Sequence, residues 1–198
     1  MVSSSNSTFV VNTALRDESA VLLTRAIGSR IISLDAAIVA SDNIAWSVVR
    51  VFFDSFVVDV RCDLENRTIS EDSETEEYGV LSAALAPDEP LEVAGTSART
   101  LTCPVEAVVK DVLFLDGTVD AFLDGDQVNS RAFTQAIAFK LGEFDWLVLD
   151  KETWFGDMIA VNRGERLCEL ARDSSVDWDD DPDLPEQHFV YSASWNRR

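Results

Sequence analysis

The sequence predicts a mainly β fold, either an antiparallel sandwich or a jelly-roll-like barrel, with two or three short helices. Apolar residues make up 46% of the chain, which is enough for a folded core. They fall in short runs that turn signals separate. These runs are not interleaved with the regular helices of 10–15 residues that βαβ units require. A mixed α+β fold is the alternative.

The N-terminal half begins with a polar arm (residues 1–7) and a first strand at Thr8–Asn12. Asp17 is placed as an N-cap and Gly28 as the stop of a helix. The next strands are 31–41, 46–53 and 56–62, and the last two flank Asp54-Ser55 as a hairpin. Residues 63–77 hold seven acidic residues and one arginine, which predicts an exposed acidic loop.

The C-terminal half predicts further strands at 78–85, 144–149 and 154–161, with Lys151-Glu152 between the last two. Asp116-Gly117-Thr118 predicts the turn of a second hairpin, between 112–115 and 119–123. Residues 105–109 fit either a short helix opened by Pro104 or a segment that follows a turn, and residues 130–141 fit either a helix or a strand. Residues 164–172 predict a last short helix. Residues 173–186 form a second acidic segment, ahead of a tail at 187–198.

At 198 residues, we expect one domain (1–198). The net charge is −20, from 36 acidic and 16 basic residues, and both halves of the chain carry it. A folded surface this negative repels itself in dilute buffer, and salt screens that repulsion. Few lysines accompany the acidic residues, and this resembles the general composition of proteins from extreme halophiles. Clustered basic residues are lacking, so we expect no nucleic-acid partner.

No apolar stretch reaches the length of about 18–20 residues that a membrane helix needs, so no membrane partner is expected. The N-terminus, Met1-Val2-Ser3-Ser4, has no features of a signal peptide. Synthesis in the cytoplasm is therefore expected. The three cysteines, Cys62, Cys103 and Cys168, are far apart, which predicts buried free thiols and not a disulfide framework or zinc site.

No catalytic constellation is evident, and we expect neither catalytic residues nor a cofactor. His188 is the sole histidine, which excludes a multi-histidine metal site, and we expect it at the surface. Glycine-rich phosphate loops are absent. Asp177, Asp179 and Asp181 match the first half of an EF-hand loop and are weak metal candidates. The match fails at Pro182 and His188.

The tail at 187–198 departs from the acidity of the rest, with no acidic residue, three aromatic residues and two arginines. Its aromatic side chains would be costly to leave in water as one patch. It therefore predicts either a final strand on its own domain or an extension that docks on another subunit. The candidate interface residues are Phe189, Tyr191, Trp195, Arg197 and Arg198.

These features favour a non-enzymatic structural protein that acts as a homo-oligomer or as a subunit of a larger particle. A virion component, capsid or tail, from a high-salt environment would have this build. Its partners would then be further copies of itself (self-association) or other subunits of an assembly. An acidic inhibitor or immunity-type protein that binds a basic protein is the first alternative. A carboxylate-based, metal-assisted hydrolase is the second.

Overall fold

The computed structural model describes residues 8–38, 43–69, 74–91, 99–175 and 187–198. The N-terminal arm (1–7) and residues 176–186, most of the second acidic segment, lie outside the described residues. The fold is mainly β and sandwich-like, as predicted. Its strands are β1 (Phe9–Thr13), β2 (Arg30–Ile38), β3 (Ile44–Phe53), β4 (Val57–Thr68), β5 (Thr75–Leu85), β6 (Arg99–Val108), β7 (Asp111–Leu123), β8 (Asp126–Lys140), β9 (Trp146–Lys151), β10 (Met158–Gly164) and β11 (Gln187–Asn196).

The described strands form one sheet, with a main order of β11-β7-β8-β9-β10-β3-β2-β6. Every pair is antiparallel except β1–β8, which is parallel. Strands β4 and β5 branch from β3. A helix, α1 (Asp17–Thr24), and a 3-10 turn (Leu167–Glu169) accompany these strands. None of the helices within those residues is long and apolar enough to cross a membrane.

The sheet folds on itself because two of its strands change partner midway. On one side of β3, residues 44–46 pair with β10 and residues 48–52 pair with β4. Ser47 lies between them with a φ of 56°, an uncommon conformation for a residue with a side chain. Asp157 holds it there, since its backbone oxygen accepts from the Ser47 N–H at 2.8 Å and its carboxylate accepts from the Ser47 hydroxyl at 2.8 Å.

Strand β8 changes partner in the same way. Residues 129–133 pair with β1, and residues 136–140 pair with β9. Thr134 and Gln135 lie at the change and are fully buried. The two arms of the folded sheet enclose the main core, to which α1 adds Ala20 and Leu23 and the turn after it adds Ala26. Burial of such side chains is the main favourable term in folding.

Several local predictions are confirmed. The hairpin around Asp54-Ser55 is present, with Phe52 opposite Val57. Helix α1 begins at Asp17, although Arg16 is its N-cap residue. Gly28 follows the helix with a φ of 89°, which glycine adopts readily. Residues 130–140 and 105–108, for which the sequence left alternatives, are strand.

The predicted hairpin at Asp116-Gly117-Thr118 is wrong, because β7 continues through these residues. Thr134 and Arg198 both donate hydrogen bonds to the Asp116 carboxylate, so distant residues hold it in the strand. A Cβ at position 117 would lie 2.5 Å from the Phe133 ring and would overlap the backbone oxygen of Ser192. Glycine is therefore required at 117 for close strand packing and not for a turn.

Three further predictions need correction. Most of 63–77, predicted as an acidic loop, is strand, because β4 runs to Thr68 and β5 begins at Thr75. The side chains there alternate between exposed and partly buried positions, along a hairpin that extends beyond the core. The helix predicted over 164–172 is reduced to the 3-10 turn. Of the three cysteines, Cys62 alone is buried, and Cys103 and Cys168 are exposed free thiols.

Candidate functional site

The C-terminal tail forms strand β11, which pairs with β7 along its whole length. The register runs from Gln187 opposite Leu123 to Asn196 opposite Phe114. The tail thus docks on its own chain, one of the two arrangements that the sequence left open. None of its residues is fully buried. The strand therefore covers a surface and does not enter the main core.

The three aromatic candidates of the tail lie half-buried against their own chain. The Tyr191 ring stacks on Phe133 with centroids 5.7 Å apart. The Tyr191 hydroxyl is 3.0 Å from the hydroxyl of Ser174. Phe189 packs on the same small cluster as Tyr191, and Trp195 packs on another cluster that includes Leu115. These contacts fix one face of β11 against the sheet.

The two terminal arginines pair with carboxylates on β7. The Arg197 guanidinium donates to Asp111 at 2.6 Å, and Arg198 donates to Asp116 at 3.0 Å. Arg198 also donates to the backbone oxygen of Leu15 at 2.6 Å and stacks over the Phe114 ring at 5.4 Å. The carboxylates that these two arginines contact belong to their own chain.

Among the residues that the structure describes, β7 is the sole strand that pairs with β11, so β11 ends the main strand order there. The strand holds no Asp, Glu, Lys, Arg or Pro over its ten residues. These are the residues that usually protect an edge strand from pairing with another chain. Val190 is 45% exposed, and Ser192, Ala193 and Ser194 are exposed beside it.

The outer edge of β5, which pairs with no strand among the described residues, is instead bound by groups from other parts of the chain. The Ser19 hydroxyl donates to the Ala83 oxygen at 3.1 Å and accepts from the Ala83 N–H at 3.0 Å. Further along β5, the Lys151 amine donates to the Gly79 oxygen at 3.1 Å. The Gly79 N–H donates to the backbone oxygen of Trp154 at 2.8 Å. Outward-facing backbone groups of β5 are thus satisfied within the chain.

The remaining edges are interrupted or short. Strand β6 contains Pro104, which has no N–H, and Glu106, whose φ of 51° breaks the regular extended backbone. The Glu106 carboxylate carries a charge and forms an ion pair with the Arg30 guanidinium, 3.5 Å away. Strand β1 has five residues. Of the edges in the described residues, β11 combines length, regularity and absence of charge.

A buried ionisable pair, Asp150 and Lys151, was not identified from the sequence. Their side chains lie on opposite faces of β9 and are both almost fully buried. The Asp150 carboxylate accepts from Gln135 and from the Arg172 N–H, each at 2.8 Å. Burial raises the pKa of Asp150 to about 7 and lowers the pKa of Lys151 to about 8. The sequence places Lys151 between two strands, where a charged side chain is usually exposed.

Asp150 lines the floor of a shallow cleft of about 270 Å³, together with polar residues that include Asn43, Asn162 and Glu152. Both Asp150 oxygens are already engaged, so the carboxylate acts as a structural acceptor. The described residues contain no group of three or more His, Cys, Asp or Glu side chains placed to hold a metal ion. The weak metal candidates Asp177, Asp179 and Asp181 lie outside the described residues.

His188 is exposed on β11, as predicted. Its ring lies 6.5 Å from the ring of Phe122, centroid to centroid. The thiol of Cys62 lies in the core 3.5 Å from the Gly156 oxygen, and burial raises its pKa to about 12. A thiol with so high a pKa is a poor nucleophile near neutrality.

Comparison with known proteins identifies no relative: no family model matches the chain, and neither a curated protein nor a solved structure is significantly similar to it.

Proposed function

We propose that this protein is a non-enzymatic structural protein that assembles in repeated copies, as a homo-oligomer or as a subunit of a larger particle. The observation that carries this proposal is strand β11, which holds no Asp, Glu, Lys or Arg and, among the described residues, pairs with β7 alone. A long regular edge strand is a template for pairing with another chain. Main-chain hydrogen bonds would supply the affinity and the flanking side chains the specificity.

The distribution of charge supports the same function. The chain carries a net charge of −20, so copies repel one another over most of their surface. Residues 187–198 carry no acidic residue and two arginines, so they contribute +2 and the remaining 186 residues carry −22. The tail is therefore where another copy of the chain meets the least repulsion.

The buried polar residues also fit a structural role. Asp150 and Lys151 are engaged in hydrogen bonds that join strands: Asp150 to Gln135 of β8, and Lys151 to Gly79 of β5. A salt-rich setting would favour assembly, because salt screens the repulsion between negatively charged copies. A virion capsid or tail subunit from such an environment is the kind of particle component that we propose.

Light scattering coupled to size-exclusion chromatography tests this proposal on the full chain. The mass is measured over a wide range of protein concentrations, at about 0.1 M NaCl and at about 1 M NaCl, where the Debye lengths are about 10 Å and 3 Å. We expect masses that are multiples of the 21.9 kDa monomer, with more assembly at the higher salt. A mass of one monomer under every condition would overturn the proposal.

A further inference from the structure

We infer that residues 165–175 form a strap whose docking on the sheet is controlled by the protonation of Asp150. The strap is closed over a neutral carboxyl and opens more readily over an ionised one. It begins after β10 ends at Gly164 and carries the 3-10 turn Leu167–Glu169. It packs on the face of β8 and β9 to which the Asp150 side chain belongs.

The strap is held by few buried contacts. Its apolar side chains Leu167, Leu170 and Ala171 are partly buried against the small cluster that includes Val148 of β9. Among residues 165–175, all of which the structure describes, Ser174 alone is buried. Segments with few buried apolar contacts open at a lower free energy than the core does. The strap therefore has the build of a segment that opens locally.

Three polar contacts tie the strap to the sheet. The Asn162 side-chain amide donates to the backbone oxygen of Leu170 at 2.8 Å. The Arg172 N–H donates to the Asp150 carboxylate at 2.8 Å, and the Arg172 guanidinium donates to the backbone oxygen of Glu152 at 3.0 Å. Two of these three acceptors are backbone oxygens, and Asp150 is the one that titrates.

The closed strap keeps water from the Asp150 carboxyl. Asp150 is 1% exposed and lies on the floor of the cleft, and strap residues from Glu169 to Arg172 form one of its walls. Burial raises the pKa of Asp150 to about 7, although hydrogen bonds from Arg172 and Gln135 act in the opposite direction. Lifting of the strap admits water, which favours the ionised form.

The charged groups around Asp150 come from β9 and from the strap. Lys151 and Arg172 both lower the pKa of Asp150. Glu152 and Glu169 also line the cleft, and Glu169 is paired with an arginine of the strap. The neighbouring side chains from β8 and β10 are amides. Burial lowers the pKa of Lys151 to about 8, so its charge is kept between pH 5 and 7.

The Gln135 amide suits both states of the carboxyl. It is fully buried, and its Nε2 donates to Asp150 and to the backbone oxygen of Lys151, each at 2.8 Å. Its Oε1 has no hydrogen-bond partner among the described residues, and a buried acceptor is normally paired with a donor. After a turn of the amide, Gln135 accepts from protonated Asp150, as it now donates to the carboxylate.

The sign of the pH dependence follows from linkage. The closed state has the raised pKa and binds the Asp150 proton more tightly than the open state, in which water returns the pKa toward 3.8. The equilibrium for opening should therefore rise about tenfold per pH unit between about pH 4 and 7, by up to about a thousandfold, and stay constant above that range.

Hydrogen exchange of the Arg172 amide, followed by NMR from pH 5 to 7, tests this inference. Its protection is expressed relative to the intrinsic exchange rate at each pH. We expect protection in wild type to fall about tenfold per pH unit and protection in Asp150→Asn to stay constant. The Leu149 amide, in the centre of β9, reports global unfolding and should stay at least about a hundredfold better protected.

Ser174→Ala is the matched control within the strap. It removes the hydroxyl contact with Tyr191 and should increase opening by a similar factor at every pH, with the slope of wild type. If Asp150→Asn proves unfolded by circular dichroism, the profiles of wild type and Ser174→Ala still decide the matter.

Three outcomes would overturn the inference. The first is protection of Arg172 in wild type that does not change with pH. The second is the same slope in wild type and Asp150→Asn. The third is equal protection of Arg172 and Leu149, which would mean that the strap opens only when the whole chain unfolds. Exchange of one amide reports the strap and not assembly, so none of these outcomes bears on the proposed function.

Discussion

The amine of Lys151 donates a hydrogen bond to the backbone oxygen of Gly79, 3.1 Å away, in a fully buried position. The two residues lie on β9 and β5, which are not paired strands. The amine therefore occupies the place that the N–H of another strand would take on the edge of β5. The Lys151 Nζ also lies 4.9 Å from the centroid of the Trp154 ring, a favourable position for a cation.

Burial of this amine predicts a pH dependence. The pKa of Lys151 is lowered from 10.5 to about 8 in the folded state, so the unfolded state binds more protons between these pH values. Stability should rise with pH there. The difference of 2.5 units, at about 1.4 kcal/mol each, amounts to about 3 kcal/mol. Urea unfolding of wild type and Lys151→Met from pH 7.5 to 10 measures it.

The difference between the two proteins is the relevant quantity, because other groups titrate in both. Wild type should gain stability relative to Lys151→Met as the pH rises. Lys110→Met, at an exposed lysine, should run parallel to wild type over the whole range. Parallel curves for wild type and Lys151→Met would show that the amine titrates normally.

Asp150 predicts the opposite trend at lower pH. Burial raises its pKa from 3.8 to about 7, so the folded state binds more protons than the unfolded state between those values. Its contribution to stability is fully present below about pH 4 and is lost as the pH rises through 7. The shift of about three units corresponds to about 4 kcal/mol. Asp150→Asn keeps the shape of the side chain and removes the titration.

Urea unfolding from pH 5 to 8 measures this trend. We expect wild type to lose stability relative to Asp150→Asn as the pH rises, with a slope of up to about 1.4 kcal/mol per pH unit. Asp54→Asn, at an exposed turn, is the control and should not change the slope. A constant difference between wild type and Asp150→Asn would mean that Asp150 stays ionised throughout.

Arg198 should hold β11 on the sheet. Arg198→Gln removes hydrogen bonds to Asp116 and to the Leu15 oxygen. Hydrogen bonds of charged groups contribute about 1.5–3 kcal/mol each when well ordered. We expect a loss of about 1–3 kcal/mol in urea unfolding, together with faster hydrogen exchange at the amides of β11.

Arg197→Gln is the matched control, since its side chain is 77% exposed and such pairs contribute little. Its unfolding curve should follow that of wild type. Equal effects of the two substitutions would indicate that the positive charge of the tail holds it, and not the specific contacts of Arg198 with Asp116 and Leu15.

The wrong prediction at Asp116-Gly117-Thr118 shows where local patterns are insufficient. Asp-Gly favours a turn when nothing else engages the aspartate. Here Thr134 and Arg198 bind the carboxylate, from 18 and 82 residues away along the chain. The glycine is needed for a close contact with Phe133 and the neighbouring strand. Such partners are unknown until the chain has folded.

The sequence alone determined the β class, the Asp54-Ser55 hairpin, the helix after Asp17 and the distinct character of the tail. Each depends on residues that are near one another along the chain, such as an alternating run or a turn between two strands. Tertiary structure alone decided which edge remains open and why Lys151 is buried. Residues from α1 and β9 bind the outer edge of β5, and β11 pairs with β7 alone among the described strands. Pairing between strands far apart in sequence depends on the packing of the whole sheet, and no local pattern records it.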